Sequence, residues 1–229
     1  MSTIPISWAC WYLTEIEGID WRDMDYTAMK IVKAVKGEPI NGHFYGVIST
    51  GEKPRRFDQS NVQTFVQAFI GAIGRKLRTT IGKDSEISIV PIPNSNAVVP
   101  LVAPCRTDEL AKNIADGFGG GAVVEPLIRW RTARMPQHKS AGPRYPDLFQ
   151  EQMVLIDKPK HPVVLFDDVM TSGSQLIAGA RLLTDAGHQP ARAIVVGRVT
   201  KRQEEKMVDW NSGELKIGRE PIDVSEFGF

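Results

Sequence analysis

The sequence predicts an α/β protein built on a twisted, mainly parallel sheet flanked by helices. Three observations predict it. Short apolar runs rich in β-branched residues recur, as in strands buried on both faces: Ile87-Ser88-Ile89-Val90-Pro91-Ile92-Pro93, Val163-Val164-Leu165-Phe166 and Ala193-Ile194-Val195-Val196. Stretches with apolar residues at i, i+3 and i+4 separate them. Glycines stand where those helices should stop, at Gly119-Gly120-Gly121 and Gly187. Strands alternating with helices make βαβ units and a parallel sheet.

The elements follow in order. Residues 1–58 are aromatic and irregular, with Trp8, Trp11, Tyr12, Trp21, Tyr26, Phe44 and Tyr45. Aromatics serve cores and interfaces alike, so the segment is read either as packing of a small subdomain or as a hood over a ligand. Alternation over His43–Ser49 allows a short strand. Ser60 to Leu77 predicts the clearest helix, with Val62, Phe65, Val66, Phe69, Ile70, Ile73 and Leu77 on one stripe and Asp58 or Ser60 as its cap. A turn over Thr79–Asp84 leads to the Ile87 strand. A helix starting at Thr107 or Asp108 carries Leu110, Ala111, Ile114, Ala115 and Phe118 inward. Ala122–Val124 and Met153–Ile156 predict further short strands. Residues 126–146 show no period and no acidic residue. Ser174 to Ala186 predicts a helix with Leu176, Ile177, Ala180 and Leu183 inward. The expected organisation is an N-terminal hood-like segment (1–58), a core (59–200) and a C-terminal tail (201–229) that docks through Trp210, Phe227 and Phe229.

Composition bounds the function. The chain has 229 residues, 42% of them hydrophobic, enough for a core without staples. Its 28 basic and 27 acidic residues leave a net charge of +1, which argues against a protein made to coat nucleic acid or an anionic membrane. Cys10 and Cys105 form no CxxC pair, which excludes a four-cysteine zinc clip and leaves them as small core residues. No basic-then-apolar leader and no run of about 18 apolar residues is present, so a cytoplasmic address is expected.

Ligands on parallel sheets bind beyond the carboxyl ends of the strands. There the sequence reads Phe166-Asp167-Asp168-Val169-Met170-Thr171-Ser172-Gly173-Ser174-Gln175. Two adjacent carboxylates repel each other and gain nothing from packing. Vicinal ribose hydroxyls are one reason to place them together, and a divalent ion is another. The hydroxyl-rich bend that follows, directly before a helix, offers free backbone N–H groups at a positive terminus, a socket for phosphate. Gly173 permits close approach or a positive φ. Taken singly, the acids could merely end a strand and the serines merely cap a helix. Together they are spaced as one ribose phosphate requires.

This string resembles the phosphoribosyl pyrophosphate (PRPP) motif of type I phosphoribosyltransferases, and over about residues 60–200 the chain most resembles their ComF-type branch, linked to competence and DNA uptake. The resemblance implies an enzyme of the type I phosphoribosyltransferase fold that moves phosphoribose to a nucleobase-like acceptor and releases pyrophosphate, with Mg²⁺. It implies that Asp167 and Asp168 hold the ribose hydroxyls and, directly or through water, the metal. Val169, Met170, Thr171, Ser172, Gly173, Ser174 and Gln175 would hold the 5′-phosphate. The turn after Pro91-Ile92-Pro93, namely Asn94, Ser95 and Asn96, corresponds to the pyrophosphate loop, although a plain turn would look the same. The basic stretch Arg129, Arg131, Thr132, Arg134, Gln137, His138, Lys139 and Arg144 corresponds to the branch's arginine-rich loop, with Arg131 and Arg134 as catalytic candidates; a solvated basic loop is the bland alternative. Two departures are visible. Ser174 and Gln175 stand where the motif commonly has glycine and threonine, and the branch's cysteine zinc module is missing. The implied partners are PRPP and a nucleobase-like small molecule, no membrane, nucleic acid as a less favoured partner, and a homodimer as a compatible assembly. The alternatives are a non-catalytic PRPP- or nucleotide-binding module and an accessory factor in DNA uptake or modification.

Overall fold

The computed structural model describes residues 2–14, 17–99, 105–132 and 145–218. Its elements run β1 (Thr3–Leu13), α1 (Asp23–Val35), β2 (His43–Gly46), β3 (Arg55–Asp58), α2 (Val62–Ile81), β4 (Ile87–Pro91), α3 (Arg106–Phe118), β5 (Ala122–Val124), β6 (Ile128–Trp130), α4 (Pro146–Gln152), β7 (Met153–Leu155), β8 (Val163–Met170), α5 (Ser174–Asp185), β9 (Arg192–Thr200) and β10 (Val208–Lys216). Six strands form the main sheet in the order β10-β1-β9-β8-β4-β5. All neighbours pair in parallel except β10, which runs antiparallel to β1 at one edge. The expected α/β class with a mainly parallel, helix-flanked sheet is therefore the one observed.

Both faces of the central strands β4, β8 and β9 are buried, which is why they read as continuous apolar runs. Ile89, Val164, Phe166, Ile194 and Val196 meet α1, α2 and α3 through Ile31, Val32, Phe65, Ile70, Leu77, Ile114 and Phe118. The alternate residues Val90, Leu165, Ala193 and Val195 face Leu176, Ala180 and Leu183 of α5, with Trp130, Phe149 and Met153 beyond. This period-two division follows from successive side chains pointing to opposite faces.

Residues 1–58 differ most from expectation. Thr3–Leu13, expected to be irregular, is a strand inserted between β9 and β10. Its pattern is hidden because both faces are covered and because the register against β10 shifts between Trp8 and Cys10, so that Ala9 and Cys10 pack into the same cluster. A bulge of this kind breaks strict alternation. Pro5 is tolerated because pairing with β9 begins only at Ile6. Helix α1 is also absent from the sequence expectation; it buries Ala28, Ile31, Val32 and Val35 at helical spacing. The strand expected over His43–Ser49 is β2, shorter than expected, and it forms a hairpin with β3. Phe44 and Phe57 of that hairpin pack on Phe65. The C-terminal segment supplies β10, and its Trp210 packs on the core. Phe227 and Phe229 lie outside the described residues.

Elsewhere, α2 begins two residues later than Ser60 and runs to Ile81, and α3 starts at Arg106. Within the stretch that shows no period, β6 pairs with β7, and α4 begins there. Helices α2 and α3 touch through backbone. A Cβ at Gly74 would lie 2.1 Å from the Ile114 carbonyl oxygen, and one at Gly117 would lie 2.1 Å from that of Gly71. No rotamer relieves such a clash. Gly74→Ala is therefore expected to destabilise the protein by about 1–3 kcal/mol through overpacking, despite a helix-propensity gain of about 1 kcal/mol. A urea unfolding midpoint equal to that of the wild type would contradict the contact.

Candidate functional site

A cavity of about 500 Å³ opens at the carboxyl ends of β4 and β8, where α3 and α5 begin. Strand β8 runs four residues further than expected, through Met170, so the acids lie inside the strand rather than after it. Asp167 and Asp168 keep only 9% and 8% of their surface, and both line the cavity. They are withdrawn from bulk water but open onto this hollow. Asp167 Oδ1 accepts the Asp168 N–H at 2.8 Å. Burial, reinforced by the neighbouring Asp168 charge, holds the Asp167 carboxyl well above the usual carboxylate range. Asp168 instead accepts a hydrogen bond from Nη2 of Arg106 and forms an ion pair with it.

The bend after β8 closes one side. Gly173 is the N-cap of α5, at φ +76° and ψ 3°, the left-handed region that L side chains resist. A Cβ there would also press on Met170 Sδ at 3.3 Å and Leu215 Cδ1 at 3.4 Å. The Ser172 and Ser174 hydroxyls lie 2.9 Å apart, at the end of a 12-residue helix whose first N–H groups have no intrahelical acceptor. Val169 to Gln175 all line the cavity.

Asn94, Ser95 and Asn96 line it from the β4 side. Their turn is held by Ile92 N–H donating to the Phe166 carbonyl at 2.7 Å and by Ala97 N–H donating to the Asn94 carbonyl at 3.0 Å. The Trp130 indole N–H also donates to the Asn94 carbonyl, at 2.8 Å. Asn94 Oδ1 is buried and has no hydrogen-bond partner among the described residues.

The basic stretch is divided. Arg129, taken with the loop in the sequence, is fully buried on β6, and its Nη2 lies 3.0 Å from Asp108 Oδ2. It belongs to the interior and is not a solvent-facing loop residue, because Asp108 at the start of α3 draws it in. Arg131 is exposed; its Nε donates to the Glu151 carbonyl at 3.2 Å, and it is not among the residues lining the cavity. Arg134, Gln137, His138, Lys139 and Arg144 lie outside the described residues.

Sequence reasoning missed several lining residues, Lys36, Glu38, Arg106, Trp130 and Phe149, and named Tyr12 only within the hood-like segment. Arg106 carries a weak signal, a basic residue directly before the expected helix start. Tyr12, Lys36 and Glu38 carry none, since they reach the site only because β1 lies beside β9 and α1 covers that face. Both cysteines are free and buried, and burial pushes the Cys10 thiol up, away from nucleophilic reactivity.

Among the described residues, no cluster of three or more His, Cys, Asp or Glu is arranged to hold a metal. The two aspartates alone form a donor set that suits a hard cation retaining most of its waters, as Mg²⁺ does. No helix among the described residues is long and apolar enough to cross a membrane.

Comparison with family models and with curated proteins gives no match. Among solved structures, the chain is similar to a hypoxanthine phosphoribosyltransferase from Staphylococcus aureus, at 11% identity over 62% of this chain and 71% of that one, with a TM-score of 0.34. It is also similar to the APRTase from Giardia lamblia complexed with 9-deazaadenine, at 12% identity over 78% of this chain and 98% of that one, with a TM-score of 0.30.

Proposed function

We propose that this chain is a phosphoribosyltransferase that takes phosphoribose from PRPP to a nitrogen of a nucleobase-like acceptor. The observation that carries this reading is the meeting, in one cavity, of a buried pair of acids, a hydroxyl-lined bend at a helix start and the Asn94–Asn96 turn. These are receptors for vicinal hydroxyls, for a phosphate monoester and for a further anionic group. The reaction breaks the C1′–O bond to pyrophosphate, forms a C1′–N bond from the acceptor's lone pair, and leaves the nitrogen's proton to solvent.

Little acid–base chemistry is required. The sugar turns cationic as the pyrophosphate departs, so positioning and electrostatics supply most of the rate. Asp167 and Asp168 would fix the ribose through its hydroxyls. Ser172, Ser174 and the first N–H groups of α5 would hold the 5′-phosphate, with Thr171 and Gln175 beside them. Asn94 to Asn96 would receive the pyrophosphate through their amide N–H groups and the Ser95 hydroxyl. Mg²⁺, held by the acids directly or through water, would neutralise the leaving group's charge. Arg131 and Arg134 are proposed to assist pyrophosphate departure through their positive charge.

The test is direct. The purified chain is mixed with PRPP, Mg²⁺ and a panel of nucleobases, and pyrophosphate is measured. Release that depends on one base is expected. PRPP binding with no release for any base would favour a sensor, and absence of PRPP binding would overturn the reading. Ser174→Ala removes one hydroxyl from the bend and is expected to weaken binding of ribose 5-phosphate by about 1–2 kcal/mol, near the worth of a hydrogen bond to a charged group. Unchanged affinity in calorimetry would move the phosphate elsewhere.

A further inference from the structure

Arg106 belongs to none of the three receptors just described, yet it joins them. It opens α3 after the Asn94 turn and lines the same cavity. Nη2 donates to Asp168 and Nη1 to the Lys36 carbonyl. Nε is buried and has no hydrogen-bond partner among the described residues. The side chain is 38% exposed and that of Asp168 only 12%. The present partners of Arg106 are one carboxylate and one carbonyl, not the planar pair of oxygens a guanidinium fork matches best.

We propose that Arg106 is an exchange residue: it rests on Asp168 in the free protein and passes to the pyrophosphate group of PRPP when the sugar hydroxyls take Asp168. This rests on the phosphoribosyl reading of the cavity. The physical basis is charge. A sugar that claims the carboxylate competes with the guanidinium for the same oxygen. PRPP brings, in the same molecule, a stronger anion for that guanidinium to move onto. Ribose 5-phosphate brings none, and must displace Arg106 without compensation.

The two ligands therefore respond to Arg106→Ala with opposite signs. Calorimetry in the presence of Mg²⁺ is expected to show PRPP weakened about tenfold or more, the worth of a charge-assisted hydrogen bond, and ribose 5-phosphate tightened severalfold. A structural role would weaken both. Wild-type protein that binds neither ligand would sink the phosphoribosyl reading itself. Wild-type protein that binds both, with Arg106→Ala shifting both in one direction or leaving both unchanged, would sink only the exchange. Asp168→Asn supplies a test that needs no change at Arg106. Without Mg²⁺, so that no metal bridge through Asp168 is lost, releasing the guanidinium is expected to tighten the binding of inorganic pyrophosphate severalfold, and unchanged or weaker binding would overturn the proposal.

Discussion

Asp167→Asn combined with Asp168→Asn is expected to abolish binding of PRPP and of ribose 5-phosphate while leaving the chain folded. Asparagine keeps the shape of each side chain and the acceptor for the Asp168 N–H, but it lacks the charge that strengthens hydrogen bonds from ribose hydroxyls. Weakening both acceptors at once should cost about a hundredfold or more in affinity. The single variants should differ in stability. Asp167 is ionised easily in the unfolded chain, at about pH 3.9, but its folded value is raised by burial and by the charge of Asp168. A raised carboxyl stabilises the fold below the unfolded value and loses that contribution as pH rises through the folded one. Asp167→Asn removes this loss. Its melting temperature should overtake that of the wild type increasingly as pH rises from about 4 toward neutrality. Asp168→Asn removes only the charge part of that rise and gives up the partner of Arg106, so its gain should be smaller. Retained PRPP binding in the double variant, or a melting difference for Asp167→Asn that is flat in pH, would contradict the assignment.

The second large effect concerns Arg129. Its side chain is 0% exposed and that of Asp108 4%, so the pair is buried on both sides. Asp108 Oδ2 also accepts the Cys105 N–H at 3.1 Å, which caps α3. Arg129→Met would strand a buried carboxylate and is expected to cost about 3–5 kcal/mol. Adding Asp108→Asn removes the orphaned charge, keeps the cap, and should recover most of that loss. Urea unfolding measures both, read as a shift of midpoint at constant slope. A loss below about 1 kcal/mol for Arg129→Met would mean that water reaches the pair and it is not the buried anchor described. Because Arg106 and Thr107 stand within the same turn, and the Thr107 hydroxyl donates to the Ile92 carbonyl at 2.9 Å, this anchor also fixes one wall of the cavity.

Legibility varies along the chain for physical reasons. Val163–Phe166 and Ala193–Val196 are plain because a strand buried on both faces must be apolar throughout, and α2, α3 and α5 are plain because one apolar stripe must meet the sheet. Their ends are less plain, since Asp167 to Met170 continue β8 although two acids normally close a strand. β1 is not visible: the bulge between Trp8 and Cys10 removes the alternation that marks a strand. β6 and α4 are obscured by their shortness, three and seven residues, which leaves no period to detect, whereas the strand expected over Met153–Ile156 is β7.

The candidate site divides in the same way. Asp167, Asp168, Thr171 to Gln175 and Asn94 to Asn96 are local patterns, and local sequence alone carries them to the ends of β8 and β4. The amino-acid order also determines the α/β class, since the strand and helix periods are properties of neighbouring residues. Only the tertiary structure decides that Tyr12, Lys36 and Glu38 reach the cavity, that Arg106 rests on Asp168 and that Arg129 turns inward to Asp108. Each of these joins residues far apart in the chain, and nothing in local spacing encodes which distant charge or strand a side chain will meet once the sheet has closed.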